Sequence, residues 1–195
     1  MNVDWILDIE TTIPATEMRI GGLYSVELEM YTSFLDAEDI LTLLDLMSEG
    51  QTLCTWNGSR FDIPKLGEFA GIDLNAELVK RGIKHVDGML LAKMLYPDWK
   101  SFALASVAKH YFWHDDSMHK DPVPKDWKEK CDFYNESSLV DLSAYLEQDL
   151  KTTAAVMKKL TTSPIIDHPS CEWEHGLKVE QAIAAIVQEQ VDIGV

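Results

Sequence analysis

Near the N-terminus, residues 3–12 have the sequence VDWILDIETT. Leu7 and Ile9 alternate with Asp8 and Glu10 in the two-residue period of a β-strand, so both carboxylates project from one face at the strand's C-terminal end. Like charges this close repel each other, and a divalent cation that prefers hard oxygen ligands, Mg²⁺ or Mn²⁺, relieves the repulsion. For this motif alone, a metal site and a strand that ends in an acidic loop are equally good interpretations.

The composition is that of a folded protein from a reducing compartment. Hydrophobic residues make up 46% and charged residues 26% of the 195 residues, and there is no low-complexity tract. No run approaches about 18 apolar residues, and the first residues lack the pattern of a signal peptide. Three cysteines (Cys54, Cys131 and Cys171) are widely spaced and support no zinc cluster. We expect one sizeable domain in the cytoplasm, without contact to a membrane.

The formal net charge of −16 limits how the chain can contact nucleic acid. Such a charge argues against a protein that binds long nucleic acid through its phosphates alone. It does not exclude an enzyme that acts on a strand end, where bound metal ions supply positive charge. We therefore expect weak DNA affinity unless a partner or a further domain contributes a basic surface.

Short apolar strands and amphipathic helices follow the opening strand. Further extended segments are predicted at 18–25, 26–31, 51–56 and 84–86, and Gly21-Gly22 permits a bend or bulge. Helices are predicted at about 36–49, 61–70, 76–82, 87–95, 101–111, 138–160 and 171–191. The polar residues 113–137 include two prolines and are interpreted as a long loop or insertion. Strands come first and alternate with helices later, which predicts an α/β fold with a mixed sheet.

Two later stretches also carry carboxylates. Asp62 follows the predicted strand 51–56 at the start of a helix, where an aspartate commonly serves as an N-cap. Tyr145 and Asp149 stand four residues apart within the predicted helix 138–160, so their side chains emerge on one helix face. A solvated helix face is the alternative interpretation of that pair.

Taken in order, these motifs resemble those of a known family. Asp8-Ile9-Glu10-Thr11, Asn57-x-x-x-Phe61-Asp62 and Tyr145-x-x-x-Asp149 are similar to the three motifs of the DEDD 3′–5′ exonucleases, in the subgroup with a tyrosine in the third motif. Each motif is weak by itself, whereas all three in this order are specific. The resemblance spans roughly residues 1–160 and implies a ribonuclease H-like (DnaQ-like exonuclease) fold, a mixed five-stranded sheet flanked by helices.

The resemblance can be narrowed to one group of polymerases. Residues 55–66 (TWNGSRFDIPKL) and 86–92 (VDGMLLA) are similar to the exonuclease domain of podovirus-type family A phage DNA polymerases. Residues 180–195 resemble the helix that joins such a domain to its polymerase domain. This implies an exonuclease domain at 1–162, a connecting C-terminal helix within 163–195, a DNA polymerase domain or subunit as partner, and the host cytoplasm if a phage encodes the chain.

The family's chemistry implies a role for each residue of these motifs. Asp8, Glu10, Asp62 and Asp149 are expected to hold two Mg²⁺ or Mn²⁺ ions, which activate a water and stabilise the departing 3′ oxygen. A free tyrosine has a pKa of about 10, too high for a general base at neutral pH, so Tyr145 is expected to orient that water. The expected products are nucleoside 5′-monophosphates, released from a single-stranded or frayed 3′ end of DNA.

Substrate contacts are expected from Thr11, Asn57 and Leu104. For Thr11 and Asn57 a structural role is an equally good interpretation. An apolar helix residue such as Leu104 more often belongs to the hydrophobic core. The alternative is that it packs on the terminal base, a contact that does not depend on the base sequence of the DNA.

Two other functions remain open from the sequence. One is a free-standing RNA-processing 3′–5′ exonuclease of the same fold, like the RNase D group. The other is a catalytically silent nuclease-fold module that binds proteins. The four carboxylates and Tyr145 argue against the silent module, because such a module has no reason to keep a repulsive acidic cluster.

Overall fold

A mixed five-stranded sheet lies at the centre of the computed structural model, which describes residues 2–112, 114–115, 126–162 and 172–193. The strands are β1 (Trp5–Thr11), β2 (Met18–Ser25), β3 (Met30–Phe34), β4 (Thr52–Thr55) and β5 (Lys84–Asp87). Their order is β3-β2-β1-β4-β5. The β1–β2 and β2–β3 pairs are antiparallel, whereas the β1–β4 and β4–β5 pairs are parallel.

The described part of the chain forms eight helices. They are α1 (Asp39–Leu44), α2 (Asp62–Ala70), α3 (Leu74–Lys80), α4 (Gly88–Leu95), α5 (Leu104–Tyr111), α6 (Trp127–Glu136), α7 (Leu139–Thr162) and α8 (Glu172–Ile193). The predicted α/β class, with a mixed sheet flanked by helices, is confirmed. Among these helices none combines the length and hydropathy that a membrane span requires.

The alternation along β1 assigns its residues to two hydrophobic cores. Leu7 and Ile9 are at most 3% exposed and pack with residues of α1, α2 and α3 on one face of the sheet. Ile6 packs on the other face with residues of α4, α5, α7 and α8. Asp8 and Glu10 continue the Ile6 face, because they follow it at the two-residue period. The two carboxylates are therefore directed toward the α7 side of the sheet.

The C-terminal helix α8 packs into the same core as the sheet. Val179, Ala182 and Ile186 are at most 4% exposed, and α8 contacts α4, α7 and β5. Along residues 178–188 the helix thus buries an apolar stripe against the rest of the fold. The predicted connection to a polymerase domain within 163–195 stays a prediction.

Two predictions about β2 and β3 were wrong. Residues 26–29 form a turn with Glu29 at φ 52°, and β3 begins only at Met30. The bend or bulge expected at Gly21-Gly22 is absent, because both glycines pair regularly with β1 and β3. The bulge lies two residues earlier: the β1–β2 register shifts between Glu10 and Thr11, so Arg19 is an extra residue in β2.

The two glycines serve close packing instead of a bulge. A Cβ on Gly21 would lie 2.1 Å from the ring of Phe34. One on Gly22 would lie 2.8 Å from Leu150 and 2.9 Å from Leu146. The missing side chain of Gly22 therefore lets α7 approach the sheet closely.

The interpretation of residues 113–137 as a loop was wrong for its second half, which forms α6. Asp126 caps this helix, since its carboxylate accepts hydrogen bonds from Lys128 N at 2.9 Å and Glu129 N at 3.2 Å. Residue 113 and residues 116–125 lie outside the described residues. Two other helices start later than predicted: α1 begins at Asp39 and α5 at Leu104.

Candidate metal centre and nuclease site

Three carboxylates meet at the C-terminal end of β1. Asp8 and Glu10 come from β1 and Asp149 from α7, and one oxygen of each lies within 4.8 Å of the others. Glu10 is 7% and Asp149 is 5% exposed, while Asp8 is half-buried. Buried carboxylates that repel one another are costly without a counter-charge. A hard divalent cation with oxygen ligands fits this donor set.

Asp62 lies beside these three carboxylates at the start of α2. It is 3% exposed, and its Oδ1 accepts a hydrogen bond from Ile9 N at 3.2 Å. Burial raises the pKa of Asp62 to about 7, and the charge of Glu10 adds to the rise, while hydrogen bonds with Asp8 and Ile9 N oppose it. Asp62 is thus in contact with Asp8, but its oxygens are not among those that converge within 4.8 Å.

Tyr145 lies one helical turn before Asp149 on α7. Its hydroxyl oxygen is buried, and its ring meets Phe133 edge-on, with 5.2 Å between the centroids. Burial raises the pKa of Tyr145 far above its ordinary value, and the nearby charge of Asp149 raises it further. The phenol is therefore neutral near pH 7, and the catalytic role of Tyr145 stays a prediction.

Helix α6 contributes two cleft residues that the sequence analysis missed. Lys130 and Tyr134 both line a cleft into which the carboxylates also project. Burial raises the pKa of Tyr134 above its ordinary value, and the charge of Glu10 adds to this. Asp126-Trp127-Lys128-Glu129 has the spacing of a capping box, and this signal could have revealed the helix.

The C-terminal end of α6 is attached to the β1–β2 region by hydrogen bonds. The guanidinium of Arg19 donates to the carbonyls of Tyr134 (2.7 Å), Asn135 (2.5 Å) and Ser137 (2.9 Å). The Asn135 amide pairs with the backbone of Ile13, at 2.7 Å to its nitrogen and 3.0 Å to its oxygen. Helix-terminal carbonyls lack partners within the helix, and a cation there is favourable. The bulge that sets Arg19 apart in β2 thus helps to dock α6.

A buried aspartate positions the loop that carries Asn57. The Asp87 carboxylate accepts hydrogen bonds from four backbone nitrogens: Asn57 (3.0 Å), Ser59 (3.1 Å), Met89 (2.9 Å) and Leu90 (3.2 Å). Asp87 therefore caps α4, and the same carboxylate joins α4 to the loop before α2. Asn57 adopts φ 69°, a left-handed conformation that asparagine tolerates better than most residues.

One cleft of about 470 Å³ brings most of the predicted site residues together. Its walls include Asp8, Glu10, Asp62, Tyr145 and Asp149, together with Asn57, Leu104, Trp56 and Lys130. Leu104 is 9% exposed and thus mostly part of the core, with an edge on the cleft. Thr11 lies outside this cleft, in an adjoining hollow of about 200 Å³ that Glu10, Lys130 and Tyr134 also line.

Comparisons with known proteins agree with this architecture. Residues 5–161 match the family profile of the RNase H superfamily. Among solved structures, the chain is similar to one described as the apo form of the nuclease, with TM-score 0.63 and 15% identity over 98% of this chain and 84% of the other. No curated protein sequence matches the chain.

A second solved structure is the family B DNA polymerase from the hyperthermophilic archaeon Pyrobaculum calidifontis. Its TM-score is 0.61 at 15% identity, over 96% of this chain but only 28% of the polymerase. At 15% identity the two similarities concern the fold. The predicted ribonuclease H-like fold is confirmed.

Proposed function

The chain belongs to the RNase H superfamily, and on that premise we propose that it is a metal-dependent 3′–5′ exonuclease acting on the single-stranded or frayed 3′ end of DNA. The observation that carries the proposal is the convergence of Asp8, Glu10 and Asp149 within 4.8 Å, in a cleft that also holds Tyr145 and Asp62. Carboxylate oxygens are ligands that divalent cations such as Mg²⁺ and Mn²⁺ prefer, and divalent cations held together in this way can promote phosphodiester hydrolysis.

Asp8, Glu10 and Asp149 would hold Mg²⁺ or Mn²⁺, and Asp62 beside Asp8 would complete a site for two such ions. When bound, the ions supply Lewis acidity that activates water and stabilises the departing 3′ oxygen. The protein supplies the fixed positions of the ligands. Backbone hydrogen bonding by Ile9 N holds the Asp62 carboxylate, and burial of Glu10 and Asp149 keeps the charges in a low-dielectric site.

Tyr145 serves this reaction as a neutral phenol. Tyr145 lies one helical turn from Asp149 and its ring packs against Phe133, so its hydroxyl can orient the attacking water by a hydrogen bond. Lys130, which also lines the cleft, provides a positive charge for the phosphate that enters it.

The remaining cleft residues would position the terminal nucleotide. Asn57 and Leu104 line the same cleft as the carboxylates, and Thr11 lies in the adjoining hollow. We assign these three residues to the 3′-terminal nucleotide, whose removal releases a nucleoside 5′-monophosphate.

The proposed setting is proofreading for a phage-type DNA polymerase. The resemblance of residues 55–66 and 86–92 to phage polymerase exonuclease domains supports it. The similarity in fold to part of a DNA polymerase chain also supports a polymerase link. Co-purification of this chain with a polymerase that the same genome encodes as a separate polypeptide would show that the polymerase is a partner subunit.

The experiment is hydrolysis of a 5′-labelled single-stranded DNA with Mn²⁺ or Mg²⁺. The wild-type chain should produce a ladder that shortens from the 3′ end, and Asp8→Ala/Glu10→Ala should lose activity by orders of magnitude. Glu38→Ala/Glu49→Ala is the matched control, because it removes the same charge at two exposed positions near α1. Equal activity of the wild type and Asp8→Ala/Glu10→Ala would rule out the mechanism.

The same assay separates the alternative functions. An RNA of identical sequence that is degraded much faster than the DNA would favour an RNA-processing exonuclease. No hydrolysis of either strand, despite Mn²⁺ binding, would favour a silent module.

A further inference from the structure

A basic and aromatic surface lies next to the cleft of this acidic protein. We define it as the aromatic-basic patch: Lys93, Tyr96, Trp99, Lys100, Phe102, Lys109 and His110. Between Lys93 and Lys109 the sequence holds three lysines and a single acidic residue, Asp98, whereas the whole chain has 33 acidic and 17 basic residues. Lys100, Lys109 and His110 are exposed, and Lys93 is half-buried. The formal charge of residues 93–109 is therefore positive, opposite in sign to that of the whole chain.

The aromatic rings of the patch form a stack. Trp99 stacks on Tyr96 with 4.4 Å between ring centroids, and on His110 with 4.6 Å. Phe102 lies 6.1 Å from Trp99, and the Lys93 ammonium lies 5.8 Å from the centre of the Phe102 ring. Tyr96, Trp99 and Phe102 are half-buried and pack against the core, so they support the exposed ring of His110 at the end of the stack. An exposed ring beside lysines is a combination that proteins use to bind single-stranded nucleic acid, with a base on the ring and phosphates on the cations.

The patch is continuous with the wall of the cleft. Trp56 lines the cleft, and its indole nitrogen donates a hydrogen bond to the carbonyl of Phe102 at 3.0 Å. Ala103 and Leu104, the next two residues, also line the cleft. The patch therefore borders the cleft at Phe102, within reach of a strand whose 3′ end lies among the carboxylates.

We propose that the aromatic-basic patch binds the single-stranded DNA that precedes the scissile nucleotide. The inference rests on the proposed function for the identity and the direction of the strand. Lys93, Lys100 and Lys109 contact its phosphates, and the exposed ring of His110 extends the stack to its bases. A local basic surface can act within an acidic protein, because the Debye length of about 8 Å at physiological salt screens the distant carboxylates.

The test is the binding of fluorescently labelled dT12 in EDTA, followed by anisotropy at several salt concentrations. Lys93→Ala/Lys100→Ala/Lys109→Ala should bind at least tenfold more weakly than the wild type. For single strands each phosphate contact contributes about 0.7 to the slope of log K against log salt, so three lost contacts should reduce that slope by about 2.

Lys84→Ala/Lys158→Ala/Lys159→Ala is the matched control. It removes the same charge from exposed positions outside the cleft walls and should keep the wild-type affinity within twofold. Equal losses in the two triple variants would show a general charge effect and overturn the proposal. A wild-type chain without measurable affinity for dT12 at low salt would overturn it as well.

Hydrolysis distinguishes failure of the patch from failure of the proposed function. With Mn²⁺, the patch variant should lose the preference of the wild type for dT12 over a dinucleotide, and keep the dinucleotide kcat/KM. If DNA is hydrolysed but both triple variants prefer dT12 equally, the proposed DNA binding by the patch is wrong and the proposed exonuclease activity is retained. If only Lys93→Ala/Lys100→Ala/Lys109→Ala loses dT12 binding and none of the proteins cleaves DNA, the proposed DNA binding is retained and the proposed exonuclease activity is wrong.

Discussion

Phe133 packs edge-on against Tyr145, with 5.2 Å between the ring centroids and 70° between the ring planes. Phe133 belongs to α6 and Tyr145 to α7, so this contact joins the two helices beside the carboxylates. An edge-to-face pair of this kind is worth about 1 kcal/mol beyond its buried area. The position of the Tyr145 hydroxyl therefore depends on a helix that lies outside the three exonuclease-like motifs.

Substitution of Tyr145 by phenylalanine separates the hydroxyl from the ring. Tyr145→Phe keeps the contact with Phe133, so we expect an unchanged Mn²⁺ affinity by calorimetry. The water loses its orienting hydrogen bond, and kcat should fall by about 10- to 100-fold in single-turnover assays, since small misplacements of reacting groups have effects of this size. Unchanged turnover would remove Tyr145 from the mechanism.

Substitution of Arg19 tests whether the docking of α6 supports catalysis. Arg19→Ala removes the donor to three carbonyls at the end of α6. We expect faster amide exchange over residues 127–136 and a roughly tenfold lower kcat/KM, because Lys130, Phe133 and Tyr134 lose their fixed positions.

The matched control for this experiment is Arg81→Ala. Arg81 forms surface ion pairs with Glu77 and Asp45, so its loss should leave the exchange of α6 and the hydrolysis rate unchanged. The same exchange pattern in both arginine variants would contradict the proposed role of Arg19.

The periodicities of single strands and helices were sufficient to predict which side chains of β1 and of α7 share a face. The two-residue period placed Asp8 and Glu10 on one face of β1, and the four-residue spacing placed Tyr145 and Asp149 on one face of α7. Both patterns are set by backbone geometry, so they are visible in the sequence. The meeting of the two faces depends on tertiary packing, and only the order of the motifs, through the family resemblance, pointed to it.

The parts that were missed depend on contacts between residues distant in sequence. Helix α6 is largely polar, and it is held by Arg19 and by the Asn135–Ile13 pair, more than 110 residues away in sequence. The glycines of β2 were interpreted as a bend because their packing against Phe34 and α7 has no local signature. Sequence periodicity reports only one element at a time, so it could not reveal either feature.

Metal binding should stabilise the protein, because it relieves the repulsion among buried carboxylates. At a Mn²⁺ concentration 100 times the Kd, linkage predicts about 2.7 kcal/mol. For a chain of this size that corresponds to a rise in Tm of about 5–10 °C by thermal unfolding. Asp149→Asn should abolish most of this shift, and in EDTA it should melt above the wild type, since one of three repelling charges is gone.

Asp98→Asn is the control for the metal experiment. Asp98 is exposed and lies outside the walls of the cleft, so the variant should show the full Mn²⁺ shift. If Asp149→Asn keeps that shift, Asp149 is not a metal ligand.

The buried His85 on β5 predicts how the stability of the protein depends on pH. It is 3% exposed on β5, and its Nε2 lies 2.8 Å from the Thr55 hydroxyl on β4. Burial lowers its pKa from 6.5 to about 4, although the charge of Asp87 opposes the shift. The folded protein therefore keeps His85 neutral at pH values where the unfolded chain already binds a proton.

A group whose pKa is lowered on folding contributes stability above its unfolded pKa, and that stability is lost as the pH falls through the folded pKa. For His85 the loss begins near pH 6.5 and ends near pH 4. Between pH 7 and pH 4.5 it amounts to about 2 kcal/mol at 1.36 kcal/mol per pKa unit. The side chain of His85→Gln cannot take up this proton but can still form a hydrogen bond with Thr55. Between pH 7 and pH 4.5, the free energy of unfolding of His85→Gln, measured in urea, should therefore fall by about 2 kcal/mol less than that of the wild type. Carboxylates remote from His85 contribute equally in both proteins and cancel in the difference. Parallel pH curves for the two proteins would show that His85 does not titrate as its buried position requires.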